Sequence, residues 1–187
     1  MSVPLLPVIV VPGTFWKDVP SWALTYAPSN KPMQAIAKIF GSEPVLFDWS
    51  GANSAHERHA AADRLAGFIE KTGPRVNLAG FSHGGNIACE AAAKLNGNVD
   101  LLVTIATPVT GNYRTGGARR HIHLYSPQDR MQILGGEGRF GMPAIAAREF
   151  PGATNIAIHG IESGDITGSH GNILWSDETW WILETLH

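Results

Sequence analysis

A serine flanked by glycines is the feature of this sequence best suited to chemistry. It lies in Gly80-Phe81-Ser82-His83-Gly84, a Gly-x-Ser-x-Gly pattern. In such a pattern the serine hydroxyl can attack the carbonyl carbon of an acyl compound once a neighbouring base removes its proton. The glycines are needed because side chains in so tight a turn would collide with neighbouring backbone. The pattern therefore predicts acyl transfer with Ser82 as the nucleophile.

The segments on either side of Ser82 strengthen this interpretation. Val76-Asn77-Leu78-Ala79 has the pattern of a strand, and a helical pattern begins after Ser82, so the serine falls at a strand-to-helix turn. At a helix N-terminus, free N–H groups and the helix dipole favour the negative charge that develops on a substrate oxygen. The alternative is a glycine-rich turn with no catalytic role.

Six short apolar runs predict the strands that position this turn. They are partly β-branched and are bounded by Gly, Pro, Asn or Asp. The runs are Pro7–Val11, Pro44–Asp48, Arg75–Gly80, Val99–Ala106, His121–Ser126 and Thr154–Ile161. The first of them is apolar on both faces, which is typical of parallel strands covered by helices on each side.

Helical patterns alternate with these strands. One begins at Ser54-Ala55-His56-Glu57, which has the sequence of a capping box, and it should end near Gly73. Another follows Ser82, and two more are expected at about Met33–Phe40 and Asp177–Leu186. This alternation predicts an α/β fold with a doubly wound, mostly parallel sheet, whose ligands bind beyond the carboxyl ends of the strands.

The chain resembles the α/β hydrolases, and in its brevity the minimal, lidless bacterial lipases and esterases of that superfamily. The resemblance rests on the strand, turn and helix around Ser82 and on the loop Pro12-Gly13-Thr14-Phe15 after the first strand. It implies a compact α/β-hydrolase fold of about six strands, helices on both faces and no large cap domain. It also implies an oxyanion hole made by the backbone N–H of His83 and one N–H of that loop. The family commonly has His-Gly where this chain has Pro-Gly, so Thr14 is the matching donor and Phe15 the alternative.

The resemblance further implies a catalytic acid and a catalytic histidine, which follow the serine in that order. Asp129 follows the fifth predicted strand and is the matching acid, which would accept the Nδ1 proton of the histidine. Asp165 is the rival because it is close to the histidine in sequence, whereas Asp48 precedes Ser82 and would break the order. His170 is the matching base, since it lies among glycines between the last predicted strand and the last predicted helix.

Aromatic residues beyond the predicted strand ends are candidates for a substrate pocket. The candidates are Phe15, Trp16, Trp49 and Tyr113. For any one of them, it is equally possible that the ring only covers the core. Together with the family's preference, the site predicts hydrolysis of carboxylic esters with short to medium acyl chains and no cofactor. The alternatives are another acyl hydrolase, such as a thioesterase, amidase or polyester hydrolase, and a non-catalytic binding module.

Composition limits the possible partners. The formal net charge is −2 and no run of Lys or Arg occurs, so we expect no nucleic acid partner but a small-molecule ester. No apolar run is long enough to cross a bilayer, so we expect no integral membrane association. The N-terminal residues lack the positively charged region of a signal peptide, and we interpret them as mature protein.

Other features bound the domain count, the compartment and the metal content. A length of 187 residues fits one domain spanning 1–187, and the oligomeric state is left open. The single cysteine, Cys89, cannot form an internal disulfide, which favours a cytoplasmic location, although a mature secreted form would look the same. His121 and His123 share a strand face, but no third ligand with metal-site spacing accompanies them, so no metal is expected.

Overall fold

Parallel strands form the centre of the fold in the computed structural model, which describes residues 5–18, 25–73, 75–137, 143–161 and 168–187. In chain order the strands of this described part are β1 (Val8–Val11), β2 (Val45–Leu46), β3 (Val76–Phe81), β4 (Val99–Ile105), β5 (Ala118–Tyr125), β6 (Gly136–Glu137), β7 (Pro143–Ala144) and β8 (Thr154–Ala157). A 6-stranded sheet has the order β2-β1-β3-β4-β5-β8, and all of its neighbours are parallel. The prediction of a six-stranded parallel sheet is confirmed, while the short antiparallel β6–β7 pair was not predicted.

Helices cover both faces of this sheet. The helices of the described part are α1 (Lys31–Phe40), α2 (Ala55–Thr72), α3 (His83–Lys94), α4 (Arg130–Leu134), α5 (Gly168–Asn172) and α6 (Asp177–Leu186). Strand β1 shows why both faces need cover, because all of its side chains are buried. Val8 and Val10 belong to the apolar cluster under α1 and α6, whereas Ile9 and Val11 belong to the cluster under α2 and α3. The alternation of side chains along a strand thus builds two cores from one apolar run.

The start of α2 forms only half of the predicted capping box. Ser54 Oγ accepts the backbone N–H of Glu57 at 3.4 Å, as an N-cap should. The Glu57 carboxylate does not return this bond, because it accepts from Ser50 Oγ at 3.1 Å, and the Ser54 N–H instead donates to the carbonyl of Ala52 at 2.8 Å. The helix begins where the sequence predicts it, with the Ser54 cap but without the returning bond from Glu57.

The helices of the described ranges are too short or too polar to span a bilayer. Asp165, the rival acid, lies outside the described residues. The other residues singled out by the sequence can be located, and most of them lie beyond the carboxyl ends of the strands.

Candidate active site

Ser82 occupies a strained turn between β3 and α3. Its φ is 52° and its ψ is −133°, a region that residues other than glycine seldom adopt. The turn is fixed on both sides, since the Ser82 N–H donates to the carbonyl of Ile105 and the Gly85 N–H donates to the carbonyl of Ser82, each at 2.9 Å. The turn therefore holds the Ser82 backbone in one conformation at the carboxyl end of β3.

Close backbone contacts explain the glycines beside Ser82. A Cβ added at Gly80 would lie 2.6 Å from the Cα of Gly85, so β3 and α3 could not come so close. A Cβ added at Gly84 would collide with the carbonyl oxygens of Val11 and Pro12, which are fixed backbone atoms. Gly84 thus lets the first turn of α3 pack directly on the end of β1.

Replacing Gly84 with alanine should destabilise the protein by about 3 kcal/mol or more, because backbone must move to relieve the collision. Gly67 is a matched control, since it also lies in a helix but an added Cβ there would meet nothing within 4 Å. Gly67→Ala should stabilise the protein by about 1 kcal/mol and raise Tm by roughly 2–4 °C. Thermal unfolding followed by circular dichroism measures both changes, and equal Tm values for the two variants would contradict the packing argument.

The structure brings Ser82, His170 and Asp129 together in one hydrogen-bonded chain. His170 Nε2 lies 2.9 Å from Ser82 Oγ, and His170 Nδ1 lies 2.7 Å from Asp129 Oδ2. A carboxylate oxygen accepts, so Nδ1 carries the proton and Nε2 is left to accept the proton of the Ser82 hydroxyl. Asp129 has 0% of its surface exposed, and Ser82 and His170 have 8% each, so water has little access to the chain.

Asp129 is held by the helix that follows it. Its second oxygen, Oδ1, accepts the backbone N–H of Gln132 at 2.9 Å and so caps the N-terminus of α4. The side chain of Gln132 in turn donates from Nε2 to the carbonyl of Thr107 at 2.8 Å. Sequence reasoning missed Gln132, although a capping aspartate followed three residues later by Gln is a recognisable helix-start signal.

Two backbone segments lie beside Ser82, the first turn of α3 and the loop after β1. His83 is the first residue of α3, so its N–H has no acceptor within the helix. On the other side, a Cβ added at Gly13 would lie 3.0 Å from the Cβ of Ser82, so the loop after β1 passes directly beside the serine. The Phe15 N–H is already donated to the carbonyl of Gly51 at 2.7 Å, which removes the alternative donor. Thr14 is therefore the remaining candidate for an N–H donor in this loop.

The imidazole of His83 is buried beside the turn and stays neutral. Asn86 Nδ2 donates to His83 Nδ1 at 3.1 Å, which leaves the second ring nitrogen of His83 protonated. Burial, and after it the positive charge of Arg58 and the charge that His170 carries when it is protonated, lower the pKa of His83 to about 3. His83 therefore adds no positive charge beside His170 at neutral pH.

The four aromatic candidates for substrate contact differ in exposure. Phe15 is 48% exposed, and Trp16 is half-buried with its Nε1 donating to the carbonyl of Trp49 at 3.1 Å. Trp49 is only 1% exposed and donates from Nε1 to the carbonyl of Pro12 at 2.8 Å, so it supports the loop after β1 from inside. Tyr113 is 5% exposed and its hydroxyl accepts from Arg58 Nε at 2.6 Å. Trp49 and Tyr113 are therefore interior residues. They fit the alternative interpretation, in which the ring belongs to the core and does not line a substrate pocket.

Comparison with solved structures identifies the fold. A Xanthomonas campestris protein placed in the alpha/beta hydrolase superfamily has a TM-score of 0.59 and 13% identity, with 98% of each chain covered. An alpha-beta serine hydrolase homologue from Coxiella burnetii has a TM-score of 0.56 and 15% identity, over 98% of this chain and 85% of the other. Lipase B of Aspergillus fumigatus has a TM-score of 0.59 and 18% identity, over 94% of this chain and 50% of the lipase. This chain has the α/β-hydrolase fold. No protein-family model matches the sequence, and no curated protein matches it.

Two other residues with possible chemistry, Asp48 and Cys89, do not belong to the hydrogen-bonded chain of Ser82, His170 and Asp129. Asp48 is an exposed residue whose carboxylate pairs with Lys17. Cys89 is buried in α3, and burial raises the pKa of its thiol to about 12, so it stays protonated. No group of three or more His, Cys, Asp or Glu with a metal-binding arrangement occurs among the residues described.

A buried hydrogen-bond network in the α/β-hydrolase fold accounts for His121 and His123. His123 Nε2 donates to the carbonyl of Arg148 at 2.9 Å, so its Nδ1 accepts the hydroxyl proton of Thr104 at 2.8 Å. The Thr104 oxygen then accepts from His121 Nε2, also at 2.8 Å. Gln132 Nε2 shares the Arg148 carbonyl at 3.2 Å, so the network extends to the helix that Asp129 caps. The network requires a neutral His123, because its Nδ1 accepts a hydrogen bond, whereas His121 only donates.

Replacing His121 with Gln should make the stability of the protein less sensitive to acid. Burial lowers the pKa of His121 to about 4, whereas the unfolded chain binds this proton near pH 6.5. Stability is therefore lost as the pH falls from about 6.5 towards 4, by up to about 1.4 kcal/mol per pH unit from this one group. Urea unfolding at several pH values in this window should show a shallower slope for His121→Gln by about that amount. Parallel stability curves for the two proteins would contradict this assignment.

Proposed function

We propose that this protein is a serine hydrolase that cleaves carboxylic esters with short to medium acyl chains. The observation that carries the proposal is the hydrogen-bonded chain from Ser82 Oγ through His170 to Asp129 at the carboxyl ends of the strands. A hydroxyl, a neutral imidazole and a buried carboxylate in this order have the geometry of nucleophilic acyl transfer.

In the first half of the reaction, Ser82 Oγ forms a bond to the ester carbonyl carbon. As it does so, its proton passes to His170 Nε2 and the carbonyl π electrons move to the oxygen, which becomes an oxyanion. The oxyanion electrons then re-form the carbonyl and the bond to the alkoxy oxygen breaks. The departing alkoxy oxygen takes the proton from His170 Nε2, leaving an acyl-enzyme on Ser82.

In the second half, water replaces the alcohol. His170 Nε2 takes a proton from the water as its oxygen attacks the acyl carbon, and a second oxyanion forms. When this oxyanion collapses, the bond to Ser82 Oγ breaks and Ser82 Oγ recovers its proton from His170. The carboxylic acid leaves and the resting site is restored.

The surrounding groups match the charges that develop. The buried carboxylate of Asp129 lies 2.7 Å from His170 Nδ1, so it would balance the charge of the imidazolium that forms during the reaction. The N–H groups of His83 and Thr14 would bind the oxyanion, which needs two donors fixed before the reaction. Phe15, the exposed last residue of the loop that carries Thr14, offers an apolar surface to the acyl chain.

A panel of p-nitrophenyl esters of increasing acyl length tests the proposal, together with a fluorophosphonate probe. We expect acyl release with a preference for short to medium chains, and labelling of Ser82 by one probe per chain, absent in Ser82→Ala. A folded protein that neither turns over esters nor reacts with the probe would be the non-catalytic module. Labelling of Ser82 with turnover of thioesters or amides, and none of esters, would overturn the ester assignment.

A further inference from the structure

The short helix that Asp129 caps is anchored to the interior by an amide. Helix α4 has five residues, too few to be stable without tertiary contacts. Among these five, all of them in the described part of the chain, only Gln132 is buried, and none of its surface is exposed. Leu134, the apolar residue at the end of α4, is 57% exposed. Helices are usually held to a core by apolar side chains, so a buried amide in this position calls for an explanation.

The amide of Gln132 joins α4 to two other segments of the chain. Its Nε2 donates to the carbonyl of Thr107, just beyond β4, at 2.8 Å and to the carbonyl of Arg148, ahead of β8, at 3.2 Å. Its Oε1 lies 3.5 Å from Arg148 Nη1, which donates to the carbonyl of Ser126 at 2.8 Å. The same Ser126 carbonyl accepts the N–H of Asp129 at 3.0 Å. The turn that carries the acid is therefore tied to β4 and to the segment before β8 by groups that meet at this amide.

We propose that Gln132 is a positioning residue, whose buried amide holds the Asp129 carboxylate in line with His170. The inference rests on the proposed function and adds a residue that acts through Asp129. The amide fixes α4, and the backbone N–H of Gln132 in the first turn of α4 then fixes Asp129 Oδ1 at 2.9 Å. Asp129 Oδ2 is left to face His170 Nδ1 at 2.7 Å. Because both carboxylate oxygens are engaged, the carboxylate cannot turn without breaking one of these bonds.

Glutamine has the donors and the acceptor that this position requires. Its nitrogen supplies one N–H to each of the carbonyls of Thr107 and Arg148, and its oxygen faces the Arg148 guanidinium. Methionine has a similar length but no donor, so it would fill the space and deprive both carbonyls of this hydrogen bond. Helix α4 is then free to shift, and a displacement of about 1 Å at a reacting centre can cost about 10²-fold in rate.

The test compares Gln132→Met with Gln34→Met in the full chain. Gln34 is exposed on α1, so it is a matched control for the same change in a helix. We expect Gln132→Met to lower kcat for p-nitrophenyl butyrate by about 10²-fold and to leave KM nearly unchanged, because the proton transfer is impaired and substrate binding is not. Gln34→Met should keep both values.

A double-mutant cycle shows whether Gln132 acts through Asp129. In Asp129→Asn the carboxylate that Gln132 holds is gone, so adding Gln132→Met should lower kcat by no more than about twofold further. If Gln132 only stabilised the structure, its replacement would cost the same factor in both backgrounds.

The outcomes separate this inference from the proposed function. A Gln132→Met enzyme as fast as the wild type, a loss confined to KM, or a loss that multiplies with that of Asp129→Asn would overturn the positioning role alone. A wild-type protein without esterase activity would overturn the proposed function and this inference with it. If Gln132→Met does not fold, Gln132→Asn takes its place in both comparisons, since it keeps an amide that is one methylene too short to reach both carbonyls.

Discussion

Replacing Ser82 with alanine should lower kcat for a p-nitrophenyl ester by about 10⁶-fold and leave the fold intact. The substitution removes only Oγ, the atom that forms the bond to the acyl carbon and that lies 2.9 Å from His170 Nε2. Alanine is no larger than serine, so the contacts of the turn with Ile105 and Gly85 remain. Steady-state hydrolysis gives kcat, and circular dichroism checks the fold.

The double variant Ser82→Ala, His170→Ala makes this prediction sharper. Every proton transfer through His170 serves the formation or the hydrolysis of the acyl-enzyme on Ser82, so without Oγ its removal has nothing further to abolish. We therefore expect His170→Ala to lose about as much activity as Ser82→Ala, and the double variant to be no slower than either. A Ser82→Ala enzyme that keeps about a tenth of the wild-type rate, or losses that multiply in the double variant, would show that the two residues do not work as one unit.

Replacing Asp129 with asparagine should lower kcat by about 10⁴-fold, again without unfolding the protein. The amide nitrogen of asparagine would donate to His170 Nδ1, so the ring proton would move to Nε2, where it blocks acceptance of the Ser82 proton. The amide oxygen can still accept the Gln132 N–H and cap α4, which is why asparagine is a cleaner replacement than alanine. Activity across pH and a urea unfolding curve at pH 7 separate a catalytic effect from a structural one.

Two other aspartates serve as controls for Asp129→Asn. Asp48 pairs with Lys17 at the surface, so Asp48→Asn should keep wild-type activity. Asp165→Asn tests the rival acid and should also keep it. If Asp165→Asn were the slow variant and Asp129→Asn the active one, the acid would have to be reassigned.

The strands and the main helices could be predicted because their signals are local. A short apolar run between turn residues is sufficient for a buried strand, and each of the six predicted runs contains or overlaps a strand of the sheet. The last helix, predicted at Asp177–Leu186, has these bounds in the structure. Helix α4 could not be predicted in the same way, since five residues are too few to show a helical period.

The surroundings of the site depend on the register of the strands and on which side chains are buried. Both are set by contacts between residues that are distant in sequence, so a local pattern does not reveal them. Thr104 lies opposite His123 in the register of β4 and β5, and only this pairing turns two histidines on one face into a closed network. Trp49 and Tyr113 are likewise buried, and their hydrogen-bond partners Pro12 and Arg58 are distant in sequence. The motif predicts Ser82, and the order of the family predicts Asp129 and His170. The structure brings these three residues within hydrogen-bond distance.

The hydrogen bonds of the site join residues far apart along the chain. Ser82 and His170 are separated by 88 positions, and His170 and Asp129 by 41. Strands β4, β5 and β8 must all be in register before the imidazole can reach the hydroxyl. The base therefore reaches Ser82 only after these strands have paired. A partly folded chain could expose its serine but would have no base to ionise it. The topology would thus confine the proposed hydrolysis to the folded protein.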